Sequence, residues 1–373
     1  MNHWQETAEI VTRLSQLAAA KQRAAVATVV RIAGSAYRRP GAKLLIEETG
    51  GGTLGSVSGG CLEADVREVA KAVLETGQPW LRHYDTADEN IVWGLGLGCN
   101  GQVDVLVQPA SEGPLAELGG RLGQLFAGDS SFVLVSALEP PAPPGGMLLI
   151  EPGGEARGTL GAPDLDRVAA EHARRRLAGG SSEVREIGGG RMFFEVLQPP
   201  PHLVVCGAGD DARPLVTYAA DAGFRVSVFD HRPALLDPAW FPQASRLVVA
   251  RPEEPEISLP PAARSLAVVK THSLAQDRGW VRRLLAADLP YIGVLGPRAR
   301  TESILRDIEA ASPGEGAALA ERAAERVFGP VGLDLGADGP RQVAMSIVAE
   351  LLAFTAKREP RHLAARREAI HAG

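Results

Sequence analysis

Cysteine is scarce in this sequence: Cys61, Cys99 and Cys206 are the only three in 373 residues. An odd number of widely spaced cysteines in so long a chain is no disulfide framework and points to a reducing compartment. Three thiols are also too few for a four-cysteine iron–sulfur cluster, so the chain is not a self-contained iron–sulfur flavoenzyme. Long apolar runs are missing; no stretch approaches the ~20 residues of a membrane span, and no membrane partner is expected. The first twenty residues carry Glu6, Glu9 and Arg13 in an amphipathic pattern and read as a cytoplasmic helix rather than a signal segment. Basic charge is in deficit as well, with 39 Lys and Arg against 45 Asp and Glu, a net charge of -6. Phosphate neutralisation needs a clustered basic face, so nucleic acid is not an expected partner either.

What is present is a globular composition, 45% hydrophobic and 23% charged. The length exceeds one ordinary core of roughly 100 to 200 residues, so several domains are expected. The expected fold class is α/β: an N-terminal α+β module over 1–110, a degenerate second copy over 111–199, a Rossmann-type parallel-sheet domain over 200–356 and a basic C-terminal tail over 357–373. In the first module a helix (His3 to Lys21) precedes an apolar β-branched run (Ala25 to Ile32) and a second strand (Ala42 to Glu47). The segment Cys61 to Leu74 then repeats apolar residues at helical spacing, and a last strand follows at Gln102 to Gln108. The next ninety residues echo this module. Leu44-Leu45-Ile46-Glu47 recurs as Leu148-Leu149-Ile150-Glu151, and Gly52-Thr53-Leu54-Gly55 as Gly158-Thr159-Leu160-Gly161. The copy lacks any match for Ser58-Gly59-Gly60-Cys61 or for Gly98-Cys99-Asn100-Gly101. Shared parts are scaffold, and the missing parts are where function is expected.

Pro199-Pro200-Pro201 marks the next boundary. Beyond it Gly207-Ala208-Gly209 follows an apolar strand, His202 to Cys206, and opens a helix, Ala212 to Ala222. That context gives the G-x-G-x-x-G/A pattern its meaning. Gly207 permits the tight turn, Gly209 lets a ligand approach, and Asp230 stands at the distance of a ribose-binding acid. Such a turn suggests NAD(P) or another nucleotide. Asp210 and Asp211 conflict with this, because they put two carboxylates where a pyrophosphate would be attracted. Three resolutions stay open: the anion sits elsewhere, a cation bridges it, or the aspartates cap the helix. Other strand ends carry His272, a candidate acid, base or phosphate donor, Arg298, a candidate anion partner, and Asp334. Cys206, inside a strand, is expected to be a buried structural thiol.

Ser58-Gly59-Gly60-Cys61 places a thiol at the first turn of a helix, where the dipole favours the thiolate that binds soft metals or attacks sulfur. Gly59 and Gly60 leave room for a bulky anion. Cys99, with Gly98 and Asn100, lies in a glycine-dense loop suited to curling around a ligand. Arg38 and Arg39 offer positive charge for a phosphate. A lone cysteine is most often a small buried hydrophobe; two in glycine loops, both absent from the copy, favour a functional reading.

Taken together, Gly34-Ser35, Arg39-Pro40-Gly41-Ala42, Gly59-Gly60-Cys61-Leu62-Glu63, Gly98-Cys99-Asn100-Gly101, the Gly207 turn with Asp230-His231-Arg232-Pro233, Thr271-His272, Tyr291-Ile292-Gly293 and Gly332-Leu333-Asp334 resemble the xanthine dehydrogenase accessory factor family (XdhC/CoxI type). The resemblance implies a maturation chaperone rather than a turnover enzyme. Such a factor would bind the molybdenum cofactor (molybdopterin) and assist its sulfuration and insertion into a molybdenum hydroxylase client of xanthine or carbon monoxide dehydrogenase type. A cysteine desulfurase as second partner and a homo-oligomeric state are further expectations. On this reading Cys61 is the metal-proximal or sulfur-handling residue, Cys99 its neighbour, and the Rossmann edge holds the pterin or a nucleotide. Asp210-Asp211 departs from the family pattern, which places a His after the second glycine. The competing reading is an NAD(P)-dependent oxidoreductase.

Overall fold

The structure is a computed structural model that describes residues 4–34, 37–85, 101–177, 179–311 and 315–365. The chain forms two compact units. One runs to Pro199 and takes in the chain again from His362; the other is Pro200–Arg361. Among the described residues no helix is long and apolar enough to cross a membrane.

The first unit is built twice. Helix α1 (Trp4–Ala19) leads to strands β1 (Ala24–Gly34), β2 (Lys43–Glu47) and β3 (Thr53–Gly55), helix α2 (Glu63–Thr76), and strands β4 (Trp80–Asp85) and β5 (Gly101–Pro109). Helix α3 (Gly113–Ala127) leads likewise to β6 (Phe132–Ala137), β7 (Met147–Ile150), β8 (Ala156–Thr159), α4 (Pro163–Leu177), β9 (Glu183–Ile187) and β10 (Gly190–Leu197). The sheet orders, β3-β2-β1-β5-β4 and β8-β7-β6-β10-β9, are one pattern, and each neighbouring pair is antiparallel. The edge strands β4 and β9 are absent from the sequence reading.

Strand periodicity decides which face goes where. Ala25, Ala27 and Val29 pack under α2, and Val133, Val135 and Ala137 under α4. The alternate residues, Val26 and Leu45 from one sheet and Phe132, Leu134 and Leu149 from the other, meet α1 and α3 in a single shared core. The helices repeat the same anchor. Arg13 Nε donates to Glu47 Oε1 at 2.9 Å and Arg121 Nε to Glu151 Oε1 at 2.9 Å, while Gln16 and Gln124 each accept from the respective arginine.

Strand register corrects the phase of the repeat. Leu44 pairs with Gly55 and Leu148 with Gly158. A Cβ on Gly55 would lie 2.3 Å from the Lys43 carbonyl, and one on Gly158 2.4 Å from that of Met147. Gly55, not Gly52, is therefore the counterpart of Gly158. Carried forward, this places Val57 with Leu160, Leu62 with Leu165, Glu63 with Asp166, and Cys61 with Asp164.

The second unit is a parallel sheet of six strands, β11 (His202–Cys206), β12 (Arg225–Asp230), β13 (Arg246–Val249), β14 (Ser265–Val269), β15 (Tyr291–Val294) and β16 (Val327–Phe328). Their order, β13-β12-β11-β14-β15-β16, is that of a Rossmann fold, with a switch point between β11 and β14. Helices α5 (Ala212–Asp221) and α9 (Pro340–Thr355) cover one face. On the other lie α6 (Leu274–Ala286), α7 (Arg298–Ala311) and α8 (Glu315–Arg326).

Candidate functional site

Two regions carry the residues singled out in the sequence. The first is a cleft of ≈ 460 Å³ at the carboxyl ends of β11 and β14, lined by Asp210, Asp211, Lys270, His272, Leu295 and the first turns of α9. Gly207 turns the chain at φ +119°, and any Cβ there would stand 2.5 Å from the Lys270 carbonyl oxygen, so only glycine fits. The turn is closed on itself. Gly207 N–H donates to the Phe229 carbonyl at 2.8 Å and Ala208 N–H to Asp230 Oδ2 at 2.8 Å. Asp230 in turn receives both Nε and Nη2 of Arg232, at 3.0 and 2.9 Å. Burial pushes its carboxyl up, but Arg232 and the Ala208 N–H outweigh that and hold it at about 2. Asp230 thus shapes the turn, with its oxygens committed before any ribose arrives.

The paired aspartates resolve differently from each other. Asp210 is exposed and pairs with Arg213 at 2.8 Å. Asp211 stands at the N-cap of α5 without capping it; its Oδ1 accepts from Lys270 Nζ at 2.6 Å and lies 3.5 Å from His272 Nε2. Burial works against the charge on Asp211, yet Lys270 and His272 keep its carboxyl below the usual range. Burial lowers Lys270, and Asp211 acts against that. The charge of Asp211 is balanced by a lysine from the neighbouring strand end.

Lys270 is 3% exposed and was missed in the sequence, where it reads as an ordinary surface charge between a strand and Thr271. His272 sits at φ +62°, a backbone conformation uncommon for a residue with a Cβ. A buried network holds it there. Thr271 donates through its N–H (3.0 Å) and Oγ1 (2.6 Å) to Asp277 Oδ1, and Arg300 donates to Asp277 Oδ2 at 2.9 and 2.6 Å. Local strain persists where its surroundings over-determine it. Arg298 does not join the cleft: it opens α7, exposed, with Glu302 at 3.9 Å. Asp334 is exposed in the loop before α9. Cys206 is fully buried, and desolvation raises its thiol well above its ordinary range.

The second region is the Cys61 loop. Cys61 is exposed but lies before the helix rather than in its first turn, since Leu62 is the N-cap and α2 starts at Glu63. Gly60, at φ +109°, keeps the segment unwound. Ser58 is buried and committed to the scaffold: its N–H donates to Glu63 Oε1 at 3.0 Å, its hydroxyl to Glu63 Oε2, and Oγ accepts from the N–H groups of Gly60 and Leu62 at 3.1 and 3.0 Å. Burial raises the Glu63 carboxyl, but Ser58 and Ser56 bring it below its ordinary range. A Cβ on Gly59 would meet the Tyr37 ring at 3.7 Å, whereas one on Gly60 would meet nothing within 4 Å. The loop carrying Arg38 and Arg39 thus borders the cysteine loop. Arg38 is tied to Glu6, which also accepts from the Ser56 N–H at 3.3 Å, and Arg39 is exposed. Gly98, Cys99 and Asn100 lie outside the described residues.

Comparison with known proteins gives a consistent picture. Residues 203–351 match the XdhC Rossmann domain, and residues 17–85 and 129–188 match the XdhC and CoxI family, one segment in each copy of the first unit. The chain is 30% identical over 346 residues to a probable xanthine dehydrogenase subunit of Bacillus subtilis (strain 168), covering 91% of this chain and 96% of that one. It is 26% identical over 221 residues to the uncharacterized protein YqeB of Escherichia coli (strain K12), covering 55% and 39%. The crystal structure of a xanthine dehydrogenase from Bacillus halodurans matches with a TM-score of 0.74 at 28% identity, covering 96% of this chain and 98% of that one.

Proposed function

Because the chain belongs to the XdhC and CoxI family, we propose that it is an accessory factor for a molybdenum hydroxylase of xanthine dehydrogenase type. In this role it binds the molybdenum cofactor and assists its sulfuration and insertion, with a cysteine desulfurase as the sulfur source. One observation carries this reading: an exposed cysteine in an unwound glycine loop, present in one of two copies of the same fold and replaced in the other by Asp164.

The residues suit such a group. Among the described residues no cluster of three or more His, Cys, Asp or Glu could cage a metal ion. A cofactor that brings its own dithiolene sulfurs asks the protein for a single soft donor, and Cys61 is one. The space beside Gly60, next to that cysteine in the loop, is open. The molybdenum centre would supply the thiophilic chemistry; the chain supplies the thiol, the backbone around it and a bordering arginine loop. The geometry disfavours the oxidoreductase reading, because the N–H groups of Gly207 and Ala208 and the Asp230 carboxylate are already engaged.

The test is purification without oxygen from a host that makes the cofactor, followed by molybdenum and oxidised-pterin measurement per chain. Wild type retains both, and Cys61→Ala retains less by at least roughly tenfold. A wild-type protein free of pterin under saturating cofactor overturns the proposal.

A further inference from the structure

Thr7 on α1 and Gln108 on β5 are each 5% exposed. Among the described residues neither Thr7 Oγ1 nor Gln108 Oε1 has a hydrogen-bond partner. Buried polar atoms are as a rule paired, with protein or with ordered water. Both residues line one cavity of ≈ 30 Å³ in the core that the two copies share, together with Lys43, Glu195, Thr28 and Ser136. Lys43 Nζ donates to the Gly41 carbonyl at 3.1 Å and to Glu195 Oε1, which leaves one of its three donors unspent among the described residues. Strand register makes the lining residues counterparts across the copies. Thr28 corresponds to Ser136, Gln108 to Glu195 and Lys43 to Met147, and all six line the cavity. The contacts are reciprocal, since Lys43 of the first copy meets Glu195 of the second and Met147 of the second meets Gln108 of the first. Reciprocity of this kind is the mark of a two-fold relation, and the cavity lies on its axis.

The wall selects what the cavity holds. The Lys43 ammonium disfavours a cation, and the Glu195 carboxylate with the Gln108 carbonyl disfavours an anion. An apolar guest would leave Thr7 Oγ1 and Gln108 Oε1 unpaired, at a cost in free energy. A neutral molecule that both donates and accepts fits, and the volume admits about two of the size of water, at roughly 10–15 Å³ each. We propose that this cavity is an internal hydration site for about two ordered waters. They accept from the third Lys43 donor, donate to Gln108 Oε1 and pair with the Thr7 hydroxyl. In doing so they solvate the Lys43–Glu195 ion pair, whose burial is otherwise costly.

The experiment is a crystal structure of the full-length protein at a resolution that shows ordered water, with oxygen-17 relaxation dispersion to count long-lived waters in solution. Wild type shows water density within hydrogen-bond distance of Thr7 Oγ1 and Gln108 Oε1. Thr7→Val combined with Gln108→Leu has at least one long-lived water fewer. Stability separates a wet cavity from a dry one without recourse to density. With water present, Thr7→Val breaks a satisfied hydrogen bond and raises the unfolding equilibrium constant roughly fivefold. In a dry cavity the same change removes an unsatisfied hydroxyl and lowers that constant. Dry cavities also take up xenon. A wild-type cavity without water density, xenon bound there in pressurised wild-type crystals, an unchanged count of long-lived waters in the double variant, or a Thr7→Val protein more stable than wild type overturns the proposal.

Discussion

In the first copy Gly60, at φ +109°, prevents α2 from starting before Glu63; at the matching position of the second copy stands Pro163, and α4 starts there. Proline presets the helical φ and is at home in a first turn, whereas a left-handed glycine interrupts one. The acid that pins the loop is common to both. Glu63 accepts from Ser56 and Ser58, and Asp166 from Thr159 and Leu160 at 2.7 and 2.6 Å. At this turn the copies differ by one unwound turn and the sulfur it exposes, on a frame that both share.

The strongest way to break this comparison is to remove the side chain at each of the two equivalent positions. Cys61→Ala is expected to abolish activation of the client enzyme in a cell extract, and Asp164→Ala to leave it unchanged. Equal losses in both variants would make the loop a structural element. The next largest effect concerns stability. Lys43 and Glu195 form a buried ion pair, and their counterparts by strand register are Met147 and Gln108, where Gln108 Nε2 meets Met147 Sδ at 3.5 Å. Glu195→Ala strands the lysine and is expected to cost about 3–5 kcal/mol in denaturant unfolding. Lys43→Met with Glu195→Gln, which copies the other side, is expected to recover most of it. Smaller still is the loop anchor: Glu63→Ala and Asp166→Ala are each expected to cost about 1 kcal/mol, equally in the two copies.

The smallest effect is a pH dependence. Hydrogen bonds from Arg121, opposed by burial and assisted by Arg157, hold the Glu151 carboxyl at about 2. Glu47 is lowered by Arg13 alone. A carboxyl depressed in the folded state stabilises it above the unfolded value, roughly 4.3, and that stabilisation fades as pH falls toward the folded value. The melting-temperature gap between wild type and Glu151→Gln should accordingly be full above about pH 4.5 and shrink toward pH 2. The gap for Glu47→Gln should be narrower throughout.

Much of this was legible in the sequence, for reasons that also explain what was not. The parallel sheet announced itself through short apolar runs and the Gly207 turn, and the repeat through Leu-Leu-Ile-Glu. Identity misled at Gly-Thr-Leu-Gly, because hydrogen-bonded register, not matching letters, sets equivalence between strands. Strands β4 and β9 were invisible because edge strands such as Trp80–Asp85 carry charge where central ones carry valine. Helix α7 is hidden because the Gly296-Pro297 pair just before it has the composition of a turn. Lys270 illustrates the hardest case. Its neighbours in sequence say nothing about Asp211, fifty-nine residues away; only the order of β11 and β14 brings them together.

The shared core of the first unit has a historical consequence. Val26 and Leu45 share one core with Phe132, Leu134 and Leu149 of the other copy and with α1 and α3, so neither module closes this interior alone. A gene encoding one module would yield a chain that must find its twin, and duplication with fusion turns that contact between two chains into the inside of one molecule. The second half has no thiol there and winds its loop into helix, but it cannot be deleted, because it remains half of the wall that keeps the first one folded.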